Sequence, residues 1–583
     1  MDYYGPMTPF KRIKIPTLLL MLTLAWPMAR AEGDPPVNSE LSASLMYELM
    51  LAEISAYNED SSSAYQLMLD AAQKDRSDQL YQRAVEIALR ARAGESALQA
   101  AQAWTRALPA SRDGNRYQIQ ILIGLNKLAD TVEPIKRDVA SVPFKDRAAA
   151  ITQIPRYFVR AGDKKQAARA VEQALAAELS NTATGPAAYA AIGTMRVLAE
   201  DPNGALEAAK KGAALNSEAE EPVQLALALI DPKLPAAEAL VVKHLKHSAK
   251  PEIRMAYVRR LLEAQRYEDA YAQSLEINTS SPDFPEAWLV RGSLAMQSKN
   301  LTEAQTALST YVQLRRAFDS ASNTSTSEDR GLTQAYFLLA ELADQQKQPD
   351  EADRFLSLID SPQEAIRVRS RRAAILARQG KLTEARALIR TTPETAPEDA
   401  HNKITAEAQL LRDNKQFELV YDFLKEAVQH EPGDVDLRYD LAMAAEKLDK
   451  IDEMEKLLRQ VIAEKPDYHH AYNALGYSLA DRNLRLPEAK ELIQKALKFA
   501  PEDPFIQDSL GWVEFRSGHL DEALRILQGA FQARQDAEIA AHLGEVLWRL
   551  GLHEQARAIW KTGLEQNKDS DILQDTIKRL DTL

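Results

Sequence analysis

Apolar and polar residues alternate along this chain at helical rather than strand spacing, and small residues recur within that pattern every 34 residues or so. Near the C-terminus one slot is held by Met454, Ala489, Ala523 and Ala556, at steps of 35, 34 and 33 residues. Twelve or thirteen residues before each stands another small residue: Ala442, Gly476, Gly511 and Gly544. The spacing predicts two helices per repeat, each thinned at one position so that the pair approaches closely, ridge into groove. Trp560 follows Ala556 by four residues, which places it on the same helical face. Gly551 ends a first helix, and Pro432, Pro466 and Pro501 close successive repeats, where a proline cannot continue a helix. One extra residue in the turn Leu484-Arg485-Leu486-Pro487 accounts for the step of 35. No stretch alternates apolar and polar with the period of a strand.

The same slot is traced backwards through Val420, Ala385, Ala352, Ala304, Ala270, Ala239, Ala205, Ala167, Val132, Ala97 and Ala64, which makes fifteen candidate helix pairs. This pattern resembles the tetratricopeptide (TPR) repeat, a helix–turn–helix unit. The resemblance implies an all-α fold: a TPR-like helical-hairpin solenoid of about 13–15 helix pairs plus a C-terminal capping helix, Ser570 to Leu583. A chain of 583 residues would otherwise be divided among three or four globular domains.

Three segments break the pattern. Lys11, Arg12 and Lys14 precede an apolar run, Thr17 to Trp26, too short to span a bilayer, and Ala29-Arg30-Ala31 has the small-x-small form of a cleavage site. Residues 1–31 are therefore expected to be a cleaved signal peptide, with a periplasmic mature chain beginning at Glu32. Residues 32–42 read as a polar, proline-bearing leader. Residues 319–330, rich in Ser, Thr and Asn, read as a loop between an N-terminal solenoid half, 43–318, and a C-terminal half, 331–569; this loop accounts for a step of 48.

Composition sharpens the reading by exclusion. The chain has no cysteine, so disulfides, thiol chemistry, cysteine metal sites and a lipid-modified N-terminal cysteine are excluded. Removing residues 1–31 takes four of 72 basic and one of 85 acidic residues, leaving a net charge of −16. That balance disfavours nucleic acid and anionic lipid as partners, and no second apolar run is long enough for a membrane span. Candidate chemistry is sparse. Among nine histidines, the adjacent His469 and His470 point about 100° apart on a helix and cannot easily share a metal. Phosphate-loop, nucleophile-elbow and H-E-x-x-H motifs are missing, so no catalytic residue, metal or cofactor is expected, and the chain is read as a non-enzyme.

In a TPR stack the first helix of each pair lines the inner groove, at positions three before, one after and four after its small residue. Around Ala442, Gly476, Gly511 and Gly544 this rule gives twelve positions, Glu446, Ala480 and Ala541 among them, and the nine read as a partner-binding groove are Tyr439, Met443, Asn473, Tyr477, Asp508, Trp512, Phe515, Glu545 and Trp548. Such positions are expected to be solvated, and aromatic residues there would serve as binding anchors. The other role open to them is packing between neighbouring first helices. Weaker groove signals fall at Phe337, Glu341, Asp344, Leu289 and Met296, and Trp104, Trp288 and Trp560 fall on core-facing positions.

The runs Ala474 to Arg482, Asp508 to Val513 and Ala540 to Trp548, with the earlier Tyr81 to Arg90, resemble the large periplasmic TPR proteins of Gram-negative bacteria. Well-understood members of that family are outer-membrane lipoproteins that act as adaptors for a carboxyl-terminal processing protease. The resemblance implies an adaptor that binds such a protease and its substrates. A scaffold for cell-wall synthesis or polysaccharide export is the alternative. This chain departs from the family's pattern in lacking the cysteine that would carry a lipid anchor.

Overall fold

The computed structural model describes residues 42–247, 250–322 and 329–580, with side chains omitted at 319–322. The expected signal peptide and almost all of the expected leader lie outside the described residues. Those described form 31 α-helices and no strand. Fourteen consecutive pairs pack as helical hairpins, whereas Phe144–Tyr157 packs on Gly185–Leu198 rather than on the Lys164–Leu175 helix that follows it, and a final helix, Asp571–Leu580, ends the series. The fold is an all-α TPR solenoid. The chain divides into two compact units, Met1–Ser248 and Ala249–Leu583. Five of these hairpins fall in the first unit and nine in the second. The Ser/Thr-rich segment lies inside the second unit, and the helix Leu301–Ser322 runs into its first four residues.

Each hairpin is built from the same local parts. The two small slots pack directly against the partner helix. A Cβ on Gly511 would stand 2.5 Å from Leu527, and one on Gly476 would stand 2.6 Å from Ile493, so only glycine permits these approaches. In thirteen hairpins the second residue after the first helix adopts a left-handed φ. Gly380, Gly518 and Gly551 occupy three of these positions, and residues with side chains occupy the rest. The following first helices are capped by side chains: Asp434 accepts from Leu437 N at 2.9 Å, and Asp503 accepts from Phe505 N at 2.8 Å. The four-residue turn between Asp481 and Leu486 accommodates the extra residue by using left-handed φ at both Asn483 and Arg485.

Three sequence expectations are corrected. The slot assigned to Ala239 belongs to Ala237, which is fully buried while Ala239 is exposed. Pro235 fixes the start of that helix, because a proline without an N–H fits its first turn, and this moves the register by two. Val132 is buried but opens its helix after a 3-10 turn, Leu128–Thr131, in which Thr131 is fully buried. Trp288 is only half-buried. It stands in the first turn of Pro285–Gln297, donates its Nε1–H to Pro282 O at 2.8 Å, and lies under the Arg291 guanidinium. Trp104 and Trp560 are core residues. Trp104 stacks between Tyr81 and Tyr117, and its Nε1–H donates to Asp78 at 2.6 Å.

Candidate interaction groove

The first helices of the last four hairpins are Val435–Lys447, His469–Asp481, Pro504–Arg516 and Ala537–Arg549. Their small slots face the second helices, so the opposite stripe of each faces a shared interior. The nine residues selected by the sequence rule separate here into three groups.

Tyr439, Met443, Asn473, Tyr477 and Asp508 line one cavity of about 500 Å³. Glu446, His470, Asp481, Phe505, Glu538 and Ile572 contribute to its walls. Trp512, Phe515 and Glu545 line a neighbouring cavity of about 660 Å³, together with Arg516, Arg549 and Arg579. Trp548 lies in neither: its ring stacks on Trp560 at 5.4 Å and meets His553 edge-on at 4.1 Å.

The expectation of a solvated wall holds only in part. Tyr439, Met443, Asn473, Tyr477, Phe515 and Trp548 are partly exposed, whereas Asp508, Trp512 and Glu545 are 3%, 6% and 4% exposed. For Asp508 and Trp512 the cause is a histidine arriving from the next repeat. His542 projects from Ala537–Arg549 and stacks on Trp512 with ring centroids 4.2 Å apart. Its Nδ1 lies 2.8 Å from Asp508 Oδ2, and its Nε2 lies 3.3 Å from the Tyr477 hydroxyl. Trp512 also stacks on Phe515 and donates its Nε1–H to Asp481 at 3.3 Å. Glu545 accepts two hydrogen bonds from Arg579, one of them at 2.9 Å.

These neighbours fix the charge states. Burial opposes the charged form of His542, but the adjacent Asp508 carboxylate, with Glu538 and Asp481 beyond it, outweighs burial and raises the pKa. A protonated ring has two N–H donors, which suits the two oxygens it faces. Burial raises Glu538, and nearby Asp508 and Asp536 add to that rise. Burial, with Asp440 and Glu446, pushes the Tyr439 phenol up to about 12, and burial raises Tyr477 as well. The His542–Asp508 pair has the form of a base and its orienting carboxylate. However, the nearby Ser509 hydroxyl donates to Phe505 O at 3.0 Å, and Tyr477 is made harder to ionise, not easier. The cluster buttresses the groove wall.

Three residues overlooked by the sequence rule share one position. Phe505 and Glu538 stand six residues before Gly511 and Gly544, one turn beyond the stripe that was read, and His470 stands likewise before Gly476. Extending the stripe by one turn would have selected them. Ile572, brought in by the final helix, leaves no periodic signal. In the middle repeats Phe337 and Glu341 line a cavity of about 780 Å³ with Arg330, Arg367 and Arg371, and Arg367 lies 4.0 Å above the Phe337 ring. Asp344 pairs with Arg378 at 2.5 Å. Leu289 and Met296 pack, partly buried, against the core around Leu308 and Tyr336. Among the described residues no group of His, Asp or Glu side chains could hold a metal ion.

Residues 411–476 and 514–579 match the tetratricopeptide repeat, and residues 366–391 match a further profile of the same description. The chain carries tetratricopeptide repeats. It is similar to a TPR repeat-containing protein of Pseudomonas aeruginosa, 37% identical over 246 residues, which is 42% of each chain. It is also similar to a protein O-mannosyl-transferase, TMTC1, of Homo sapiens, 25% identical over 173 residues, covering 29% of this chain and 20% of that one. The chain thus matches less than half the length of these curated relatives. Among solved structures, the Cut9–Hcn1 hetero-tetramer of the APC/C aligns at 13% identity with a TM-score of 0.32, covering 86% of this chain and 96% of that one. A thermophilic TPR protein of Thermus thermophilus aligns at 21% identity with a TM-score of 0.28, covering 30% and 96%. MamA from Desulfovibrio magneticus RS-1 aligns at 20% identity with a TM-score of 0.25, covering 29% and 95%.

Proposed function

We propose that this chain is a periplasmic adaptor that grips protein partners in the groove formed by its last four hairpins. A TPR stack is typically a non-catalytic scaffold for protein–protein interaction, because its hairpins present an extended inner surface. The observation that carries the assignment to this groove is the cavity bounded by Tyr439, Met443, Asn473 and Tyr477, about 500 Å³ in volume, with partly exposed aromatic walls. The periplasmic setting rests on the basic, apolar and small-x-small order within residues 1–31 and on the absence of cysteine. The resemblance to adaptors of carboxyl-terminal processing proteases names the first partner to test. The chain would hold the protease and its substrates together, and catalysis would belong to the protease.

The test is capture from a periplasmic extract, with a Met443→Glu/Phe505→Glu variant run in parallel. Both side chains reach the cavity wall without filling the core, so the variant is expected to fold. Retention of a processing protease or its substrates by the chain, and their loss from the variant, would support the reading. Equal capture by both would place binding elsewhere. Recovery of cell-wall synthesis or export components without a protease would favour the envelope-scaffold reading.

A further inference from the structure

The cavity behind Tyr439 and Tyr477 is lined by groups that accept hydrogen bonds. Asp508 is 3% exposed. Its Oδ2 is held by His542, whereas its Oδ1 is buried without a partner. Asn473 Oδ1, on the preceding repeat, is likewise buried and unpartnered. These two acceptors belong to different helices and line one cavity. A buried acceptor left unpaired costs free energy, and that cost is recovered when a donor arrives.

The charges lining the cavity select the kind of donor. Glu446, Asp481, Asp508 and Glu538 face it, against Lys447, Arg482 and the His542 ring that holds Asp508 Oδ2 from behind. Arg482 is engaged by Glu446 at 3.4 Å. Burial, then the neighbouring His469, holds His470 below the usual imidazole range, so that ring brings no positive charge at neutral pH. An anion entering here would meet acceptors and carboxylates. An ammonium or guanidinium supplies several donors and no acceptor. Met443, Tyr439 and Phe505 offer apolar and aromatic surface to the aliphatic stem and to the cation itself.

We infer that this cavity takes a lysine or arginine side chain from an extended partner segment, seated between Asn473 and Asp508. The inference rests on the adaptor reading and goes further by fixing the chemistry of the bound residue. It makes the groove a reader of basic segments, on a chain whose net charge of −13 also draws them in.

The test is selection of a random displayed peptide library against the full chain, followed by solution affinities for the winning peptide and for a copy with citrulline or norleucine in place of its basic residue. Selected peptides should share one Lys or Arg position, and neutralising it should weaken binding roughly tenfold or more, the loss expected for a charged hydrogen bond. The isosteric Asp508→Asn variant should lose this preference for the cation, with the winning peptide and its neutral copy binding it about equally. Winning peptides without a shared cation, or a neutral copy that binds equally well, would overturn the inference and leave the adaptor reading intact. If no peptide is selected and Met443→Glu/Phe505→Glu leaves capture unchanged, the groove assignment itself fails, and the inference fails with it.

Discussion

At the scale of single residues, the same substitution is expected to act in opposite directions at two glycines. A Cβ on Gly544 would meet the Trp560 ring, with Cδ1 and Cε2 at 2.5 Å, and that ring is buried and rigid. Gly544→Ala should destabilise the chain by about 2–3 kcal/mol, as overpacking does. Gly529, inside Leu520–Ala533, has nothing within 4 Å, so Gly529→Ala should stabilise by about 0.5–1 kcal/mol through helix propensity. Urea midpoints of the two variants check both signs. The sequence exposed Gly544 because its slot repeats. It could not expose the burial of Trp512, which depends on His542 arriving from the next repeat. That contact carries its own prediction. The folded state raises the pKa of His542 above its unfolded value near 6.5, so its contribution is fully present below that value and is lost as pH rises through the folded value. Thermal stability measured from pH 6 upwards should therefore decline, and His542→Gln should flatten the decline. An unchanged slope in that variant would remove His542 as its source.

At the scale of the element, hairpin existence was legible in the sequence and turn chemistry was not. The period of 34 located every pair from Ala270 onward, because each slot must stay small for the helices to meet. The register slipped at Ala239 because Pro235 sets its helix start, a local constraint that outweighs the period. The left-handed turn residue was noticed only at Gly551, since elsewhere it is disguised as Lys299, Lys347, Lys415 or Asp449. A side chain in that conformation costs roughly 1 kcal/mol, whereas glycine adopts it freely at a smaller entropic cost. Lys347→Gly and Lys415→Gly should each stabilise by about 0.5 kcal/mol, and Gly380→Lys should destabilise by a comparable amount. Chemical denaturation of the three variants tests the rule, and loss of stability on placing glycine at both lysine positions would refute it.

At the scale of the whole chain, stacking makes stability local. Each hairpin is supported by its neighbours, so damage is expected to spread only as far as contacts couple them. Most contacts run within a hairpin or to the next one. The last four hairpins are an exception, because Tyr477 meets His542 across two repeats and Ile572 of the final helix reaches the cavity of Tyr439. None of these links was legible in the sequence, since the period describes one repeat and its neighbour and is silent on the curvature that brings more distant ones together. They predict that residues 435–580 open as one block. Hydrogen exchange on the Gly544→Ala variant should therefore speed up throughout the helices from Val435–Lys447 to Asp571–Leu580, with opening free energies lowered by about 2 kcal/mol. The helices around Tyr81 and Trp104, in the first compact unit, should exchange as before. Acceleration confined to Ala537–Gln566 would mean that the two-repeat contacts do not couple the hairpins, and acceleration along the entire chain would mean that the two units unfold together.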